Sequence, residues 1–191
     1  MNAIVKYSDR GIPQDLLSKA ICVIVVPNLK RGEFIVGGEN GRGVFACRKS
    51  SGVGWSAPGF IKISGGPTGL MIGGGEMDLV MLVMNKSGLR HLVSDKFAFG
   101  GEASAAAGPI GRSVSADTDA EMHAEFLVYS RSHGVFGGID LDGAVITEDE
   151  QLNREMYGRG VSNKEILRGD VHLSPDAKSF VSTLDRLVSR K

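Results

Sequence analysis

Residues 78–84 read DLVMLVM, and every side chain after the aspartate is apolar. The run is too short for a free-standing helix, and its unbroken apolar character is typical of a central strand that is buried on both faces of a sheet. Residues 21–26, ICVIVV, are rich in β-branched side chains and predict a second buried strand that ends at Pro27 and Asn28. We therefore expect the fold to be built around a buried sheet.

The segments around these two strands predict more of the sheet. Residues 33–38 and 43–48 are expected to form a hairpin, because the intervening sequence at 38–41, GENG, tolerates positive φ. A glycine- and proline-containing bend at residues 65–67 separates two apolar segments and favours one long curving strand. The two segments beside that bend, and the further predicted strands, are residues 60–63, 70–75, 100–111, 125–131, 135–140 and 144–147.

Helices are predicted at both ends of the chain. Residues 13–20 have one apolar face and predict a short amphipathic helix, and residues 86–93 predict one or two helical turns. Three C-terminal helices are expected at residues 148–157, 163–167 and 175–188. The order of elements indicates an α+β fold: a curled antiparallel β-sheet, barrel- or sandwich-like, with a short N-terminal helix and C-terminal helices. We expect a single domain over residues 1–191, with a core at about 13–169 and a C-terminal helix within 170–191.

Composition and charge exclude some functions. The chain has 191 residues, of which 22 are basic and 22 are acidic, so no bulk attraction to nucleic acid or to an anionic membrane is expected, and an anionic partner would have to bind a local patch. The longest apolar run, residues 20–27, is too short to cross a bilayer, so no transmembrane segment is predicted. The first residues do not resemble a signal peptide. We expect a soluble chain, exported to the periplasm or secreted if a native signal has been removed.

The chemical motifs that usually mark catalysis or metal binding are not recognisable. The glycine strings lack the residues of a phosphate-binding loop, the four histidines are scattered, and no nucleophile elbow is present. We therefore predict no catalytic residue, no metal site and no cofactor. The acidic residues at 140–150 are interpreted as a solvated turn followed by a helix N-terminus. Cys22 and Cys47 fit a disulfide and two buried thiols equally well.

The basic residues are the main candidates for binding. Several of them lie at predicted strand ends or loops, where a curled sheet would gather them at one rim. Such a rim would form a cationic patch that binds phosphorylated head groups, and the alternative is dispersed, solvated charge. The candidate lipid-contacting residues are Lys30, Arg31, Arg42, Lys62, Arg112 and Arg131.

Several strings resemble one known family. They are GEFIVGG at 32–38, GVGWSAP at 52–58, FAFGGE at 97–102, AAAGPIGR at 105–112, YSRSHGVFGGIDLDG at 129–143, YGR at 157–159 and EIL at 165–167. Together, over about residues 13–169, they resemble the SYLF domain in a bacterial-like member. The resemblance implies binding of phospholipids or phosphoinositides, and in some members binding of actin.

The resulting hypothesis is a non-enzymatic, membrane-associated domain that recognises anionic phospholipid or phosphoinositide head groups through a local basic patch. One alternative is a carrier that holds an apolar small ligand inside the sheet, lined by Leu70, Ile72, Leu79, Met81 and Val83. A second alternative is a protein-interaction module of the actin type, which would have a protein partner.

Overall fold

The computed structural model describes residues 11–31, 39–65, 75–109, 123–132, 135–139, 141–169 and 171–189. Nine strands within these residues form one sheet in the order β5-β9-β3-β2-β1-β4-β7-β6, and β8 also pairs with β7. The pairings are antiparallel except for β6 with β7. The strands are β1 (Cys22–Arg31), β2 (Glu39–Cys47), β3 (Gly59–Gly65), β4 (Gly75–Val83), β5 (Lys96–Ala98), β6 (Ala105–Ala107), β7 (Phe126–Ser132), β8 (Val135–Gly138) and β9 (Ala144–Glu148).

Five helices of the described residues complete the α+β fold. They are α1 (Gln14–Lys19), α2 (Lys86–Leu92), α3 (Glu150–Tyr157), α4 (Asn163–Arg168) and α5 (Pro175–Ser189). The short N-terminal helix and the C-terminal helices are thus confirmed. In the described part of the chain, no helix has the length and apolar character needed to cross a membrane.

Aromatic contacts across the sheet confirm that it curls. Phe97 belongs to the edge strand β5, and Phe126 belongs to β7, near the opposite edge. Their rings nevertheless stack with 5.5 Å between centroids, and Phe99 meets the Phe126 ring edge-on at 5.1 Å. Side chains from opposite ends of a flat sheet cannot touch, because each strand adds about 4.8 Å of width. The sheet therefore wraps around one enclosed core.

The central strand β4 contributes to cores on both faces, as its sequence predicts. Leu79, Met81 and Val83 pack in the enclosed core, whereas Val80 and Leu82 pack in a second core on the outer face. The first three side chains have no accessible surface, so no water-sized void touches them. They therefore do not line a ligand cavity. The other two proposed lining residues, Leu70 and Ile72, lie outside the described residues.

The outer core is covered by helices α1 and α5. Leu17 of α1 and Leu184 of α5 are buried there, and Leu16 packs against the same cluster. The Gln14 side-chain amide donates hydrogen bonds to the carbonyls of Leu187 and Val188, at 2.9 and 3.1 Å. The apolar face of α1 is thus used to hold the C-terminal helix on the sheet.

Two boundaries differ from the sequence prediction. Strand β1 does not end at Pro27 and Asn28 but passes through an irregularity in its pairing with β4, where Asn28 has φ of +53°. Residues 39–41, predicted as a turn, belong to β2 and pair with β3. A Cβ on Gly41 would lie 3.0 Å from the side chains of Val26 and Leu29, so this glycine permits close packing. The predicted first hairpin arm, residues 33–38, lies outside the described residues.

The predicted strand at 100–111 is also shorter than expected. Only Ala105–Ala107 form a strand within its described part, and the preceding residues form a turn in which the Gly100 N–H donates to the Ala103 carbonyl at 3.0 Å. Gly100 has φ of +87°, a conformation that interrupts a strand. Residues 110–111 lie outside the described residues.

Cys22 and Cys47 form a disulfide, which decides between the two sequence interpretations. The two residues lie directly opposite each other on β1 and β2. The next residue, Arg48, extends the connection to α1, because its guanidinium donates to the carbonyls of Ser18 and Ala20 at 2.9 and 3.0 Å. One end of the sheet is therefore fastened both covalently and by hydrogen bonds.

Candidate lipid-binding surface

The candidate basic residues are spread over several strands. Lys30 and Arg31 end β1, Arg42 lies in β2, Lys62 lies in β3 and Arg131 lies in β7. Arg112 lies outside the described residues. The structure brings one pair of these residues together.

Arg42 and Lys62 are direct cross-strand partners and share one counter-ion. The Arg42 Nε lies 3.4 Å from one carboxylate oxygen of Asp149, and the Lys62 Nζ lies 3.9 Å from the other. The Arg42 and Lys62 side chains are 37% and 31% exposed, whereas the Asp149 side chain is fully buried. Solvent at this position therefore meets two cationic groups, while their anion lies beneath them.

The position of Asp149 follows from its role as a helix cap. Its backbone N–H donates to the Phe60 carbonyl at 3.0 Å, and its carboxylate accepts from the Leu152 N–H at 3.1 Å. It is the N-cap residue of α3, where a carboxylate satisfies a free N–H and interacts favourably with the helix dipole. The sequence interpretation correctly placed a helix N-terminus here. The burial of the Asp149 side chain was not foreseen from the sequence.

A buried amide network holds α3 and α4 against β3. The Asn153 side chain accepts from the Phe60 N–H at 3.2 Å and donates to Asn163 at 2.9 Å, and Asn163 donates to the Phe60 carbonyl at 3.1 Å. Glu148 accepts from the Asn153 side chain and from the Asn163 N–H. Burial raises the pKa of Glu148 above its ordinary value, against the opposing effect of these hydrogen bonds. The network fixes Asp149 beneath the two cations.

The remaining described candidates, Lys30, Arg31 and Arg131, lie on β1 and β7, and the register places Arg31 opposite Gly75 of β4. In the register of the sheet, Lys30 is opposite Glu76 and Arg131 is opposite Asp78, both on β4. Strands β2, β1 and β4 separate Lys62 from Arg131, which is four strand spacings of about 4.8 Å. The described candidates are therefore distributed over four strands, and the register places Arg42 directly beside Lys62.

A polar cleft of about 570 Å³ was not foreseen from the sequence. Its walls include the N-terminus of α2, the turn before β6, His123 and Glu125. Burial would raise the pKa of Glu125, but hydrogen bonds from Ser87 and Ser104 and the nearby His91 hold it below its ordinary value. Within the described ranges, no three His, Cys, Asp or Glu side chains are grouped to hold a metal ion. Only the three-dimensional pairing of distant residues reveals this cleft.

These features define a class of protein: an α+β domain with a curled, mainly antiparallel sheet around an enclosed core and with helices packed on its outer face. The family model described as "Ysc84: Las17-binding protein actin regulator" matches residues 64–187. The chain belongs to this family, whose domain is the SYLF domain that the sequence motifs resemble.

Three relatives illustrate the similarity. Protein YSC84 of Saccharomyces cerevisiae is 33% identical over 181 residues, which are 93% of this chain and 38% of the relative. LAS seventeen-binding protein 3 of the same species is 33% identical over 181 residues, 93% of this chain and 39% of the relative. SH3 domain-containing YSC84-like protein 1 of Xenopus laevis is 32% identical over 184 residues, 95% and 54% of the two chains. The chain thus spans about half or less of the relatives' lengths.

Proposed function

We propose that this chain is a non-enzymatic domain that binds anionic phospholipid or phosphoinositide head groups through exposed basic side chains. One observation carries the proposal: Arg42 and Lys62 lie side by side above the buried Asp149. The carboxylate orients both cations but is itself shielded from an approaching ligand. Both basic side chains are partly exposed, and a phosphate oxygen can accept hydrogen bonds from the two of them together.

The proposal assigns binding and no catalytic step. The family to which the chain belongs is described as a regulator, and both cysteines are held in a disulfide, so neither thiol is available as a nucleophile. The unit that binds is the whole chain as one domain. Packing of α5 beside α1 on the outer face of the sheet supports this extent.

The first test is co-sedimentation with vesicles of phosphatidylcholine alone, with added phosphatidylserine, and with added phosphoinositide, at low and moderate salt. We expect the protein to bind the anionic vesicles and to be released as salt increases, because exposed charges are screened. Equal recovery in the pellet with neutral and anionic vesicles, or no binding to either, would contradict the proposal.

The second test removes the charge of the pair without leaving a buried anion. In the triple variant Arg42→Gln, Lys62→Gln, Asp149→Asn, the asparagine can still cap α3. We expect affinity for anionic vesicles to fall by about fivefold for each basic residue engaged. The control is Lys178→Gln, at an exposed position of α5, which removes one charge elsewhere. Lys30→Glu with Arg31→Glu tests the other candidate pair, and unchanged binding would remove those two residues from the surface.

A protein partner is the second candidate function. The family model and the yeast relative LAS seventeen-binding protein 3 are both named for binding Las17. We expect a direct pull-down with purified Las17-type protein, and with filamentous actin, to distinguish this function from lipid binding. Retention of either protein by this chain, together with failure to bind any vesicle, would favour the interaction module.

A further inference from the structure

The loop that connects β2 with β3 carries an exposed apolar side chain. Val53 is 78% exposed, and it is the exposed large hydrophobic residue of the described part of the chain. It lies between Gly52 and Gly54, whose φ values of +76° and +77° are in the left-handed region. A Cβ at either glycine would meet no atom within 4 Å, so the loop stands away from the body of the protein.

The base of this loop is nevertheless firmly held. The Arg48 guanidinium lies 4.7 Å from the centre of the buried Trp55 ring and also donates to the carbonyls of Ser18 and Ala20. The Lys49 N–H donates to the Gly54 carbonyl at 3.1 Å, which closes the loop. The Val53 carbonyl accepts a hydrogen bond from the Ser51 hydroxyl at 3.4 Å, whereas the Val53 side chain projects into solvent. Its exposure therefore has no evident structural purpose within the described residues.

Two exposed lysines belong to the base of the loop and to the helix end that Arg48 holds against it. Lys49 lies at the start of the loop, and Lys19 lies at the end of α1, between the two residues whose carbonyls Arg48 binds. Within the described residues, neither lysine forms an ion pair. An apolar loop tip with unpaired cations at its base matches the interface of a bilayer, where acyl chains lie below a layer of phosphates.

We propose that residues 49–54 are the segment that enters the surface of an anionic phospholipid bilayer, with Val53 at the acyl boundary and Lys19 and Lys49 on lipid phosphates. This inference rests on the proposed lipid-binding function and gives the orientation of the domain. A stable protein interface buries about 800 Å² on each partner, far more than one valine on a narrow loop offers. A bilayer needs no such complementary surface.

The register of the sheet separates this loop from the Lys30 and Arg31 candidates. Cys22, at the start of β1, pairs with Cys47 just before the loop, whereas Lys30, near the end of β1, pairs with Glu76. Eight residues of strand span about 26 Å. Probes at positions 53 and 76 therefore report on opposite ends of the sheet.

The test uses two single-site labels. Because both native cysteines are bonded, Val53→Cys and Glu76→Cys each supply one reactive thiol for a nitrobenzoxadiazole dye, whose emission rises in an apolar environment. With vesicles containing phosphatidylserine, we expect the emission of the label at 53 to rise at least about twofold, by the usual contrast between water and a bilayer interface. The label at 76 should stay unchanged.

The possible results separate the two proposals. A response at 76 but not at 53, or sedimentation with vesicles without a response at 53, would overturn the loop assignment and leave lipid binding intact. Failure of the unlabelled protein to sediment with anionic vesicles would overturn both proposals.

Unlabelled variants give an independent measurement. Val53→Ser with Lys49→Gln should weaken partitioning into anionic vesicles by about tenfold, because one apolar contact and one cation are lost. Lys96→Gln, at the exposed edge strand β5, removes one charge away from the loop and should change partitioning by less than about twofold. Equal losses in the two proteins would show that net charge, and not the loop, determines binding.

Discussion

At the scale of single residues, close packing restricts Gly108. Its N–H donates to the Val128 carbonyl at 2.8 Å, and a Cβ at this position would overlap carbons of the Tyr129 ring. Since Tyr129 is buried, the ring has little room to move. We expect Gly108→Ala to lower the free energy of unfolding by about 3 kcal/mol, as overpacking of a core does. Urea denaturation measures the loss, and Gly101→Ala, where no atom lies within 4 Å, should change stability by less than about 0.5 kcal/mol.

The charge of Glu148 is a second effect at the residue scale. Its pKa is raised in the folded protein, so the ionised carboxylate opposes folding at neutral pH. Glu148→Gln keeps an oxygen that accepts from Asn153 and Asn163 but removes the charge. We expect this variant to be more stable than the wild type at pH 7, with a difference that shrinks as pH falls through the raised pKa.

Urea midpoints at pH 7 and pH 5 test this prediction. Glu125→Gln is the contrasting variant, because the pKa of Glu125 is lowered and its ionised form stabilises the folded state above the ordinary pKa. That variant should be less stable than the wild type at pH 7. A loss of stability for Glu148→Gln at both pH values would mean that the charged form is required.

At the scale of elements, the attachment of α3 and α4 depends on the Asn153 amide. Asn153→Ala removes its bonds to the Phe60 N–H, to Asn163 and to Glu148, and leaves buried groups without partners. We expect a loss of about 2–4 kcal/mol, since each unsatisfied buried group costs about 1–3 kcal/mol. Thermal denaturation measures the change. Arg154→Ala, on the exposed side of the same helix, should leave the midpoint nearly unchanged.

Strands and helices could be predicted where the sequence pattern that indicates them spans only a few neighbouring residues. The apolar run of β4 acts over a few residues, and the strand that it predicts was placed correctly. The helix predicted at residues 163–167 corresponds to α4, which the structure shows to begin at a capping box of Ser162 with Glu165. Gly41 was misread because a glycine looks the same in a turn and beneath a packed side chain. Only its contacts with Val26 and Leu29, which come from another strand, distinguish the two.

The candidate surface was less predictable than the fold. Arg42, Lys62 and Asp149 are far apart in sequence, and their contact depends on the register of β2 with β3 and on where α3 begins. The sequence identified both cations as candidates and placed Asp149 at a helix N-terminus, but it did not indicate that the three side chains meet. Residue types therefore indicated the possible chemistry, whereas pairing of the strands determined which groups meet.

At the scale of the whole molecule, the disulfide joins β1 to β2 in the folded protein and also lowers the conformational entropy of the unfolded chain. It joins residues 25 positions apart, and closing a loop of this length in the unfolded state corresponds to about 3–4 kcal/mol of stability. The double variant Cys22→Ala, Cys47→Ala also leaves a small void in the enclosed core. We expect it to fold with its melting temperature lowered by about 10 °C, using about 2–4 °C for each kcal/mol. Calorimetry with and without a thiol reductant measures this effect, because the reductant should destabilise the wild type and leave the variant unchanged. A wild-type melting temperature that does not respond to complete reduction, verified by thiol titration, would show that β1 and β2 are held by packing and hydrogen bonds alone.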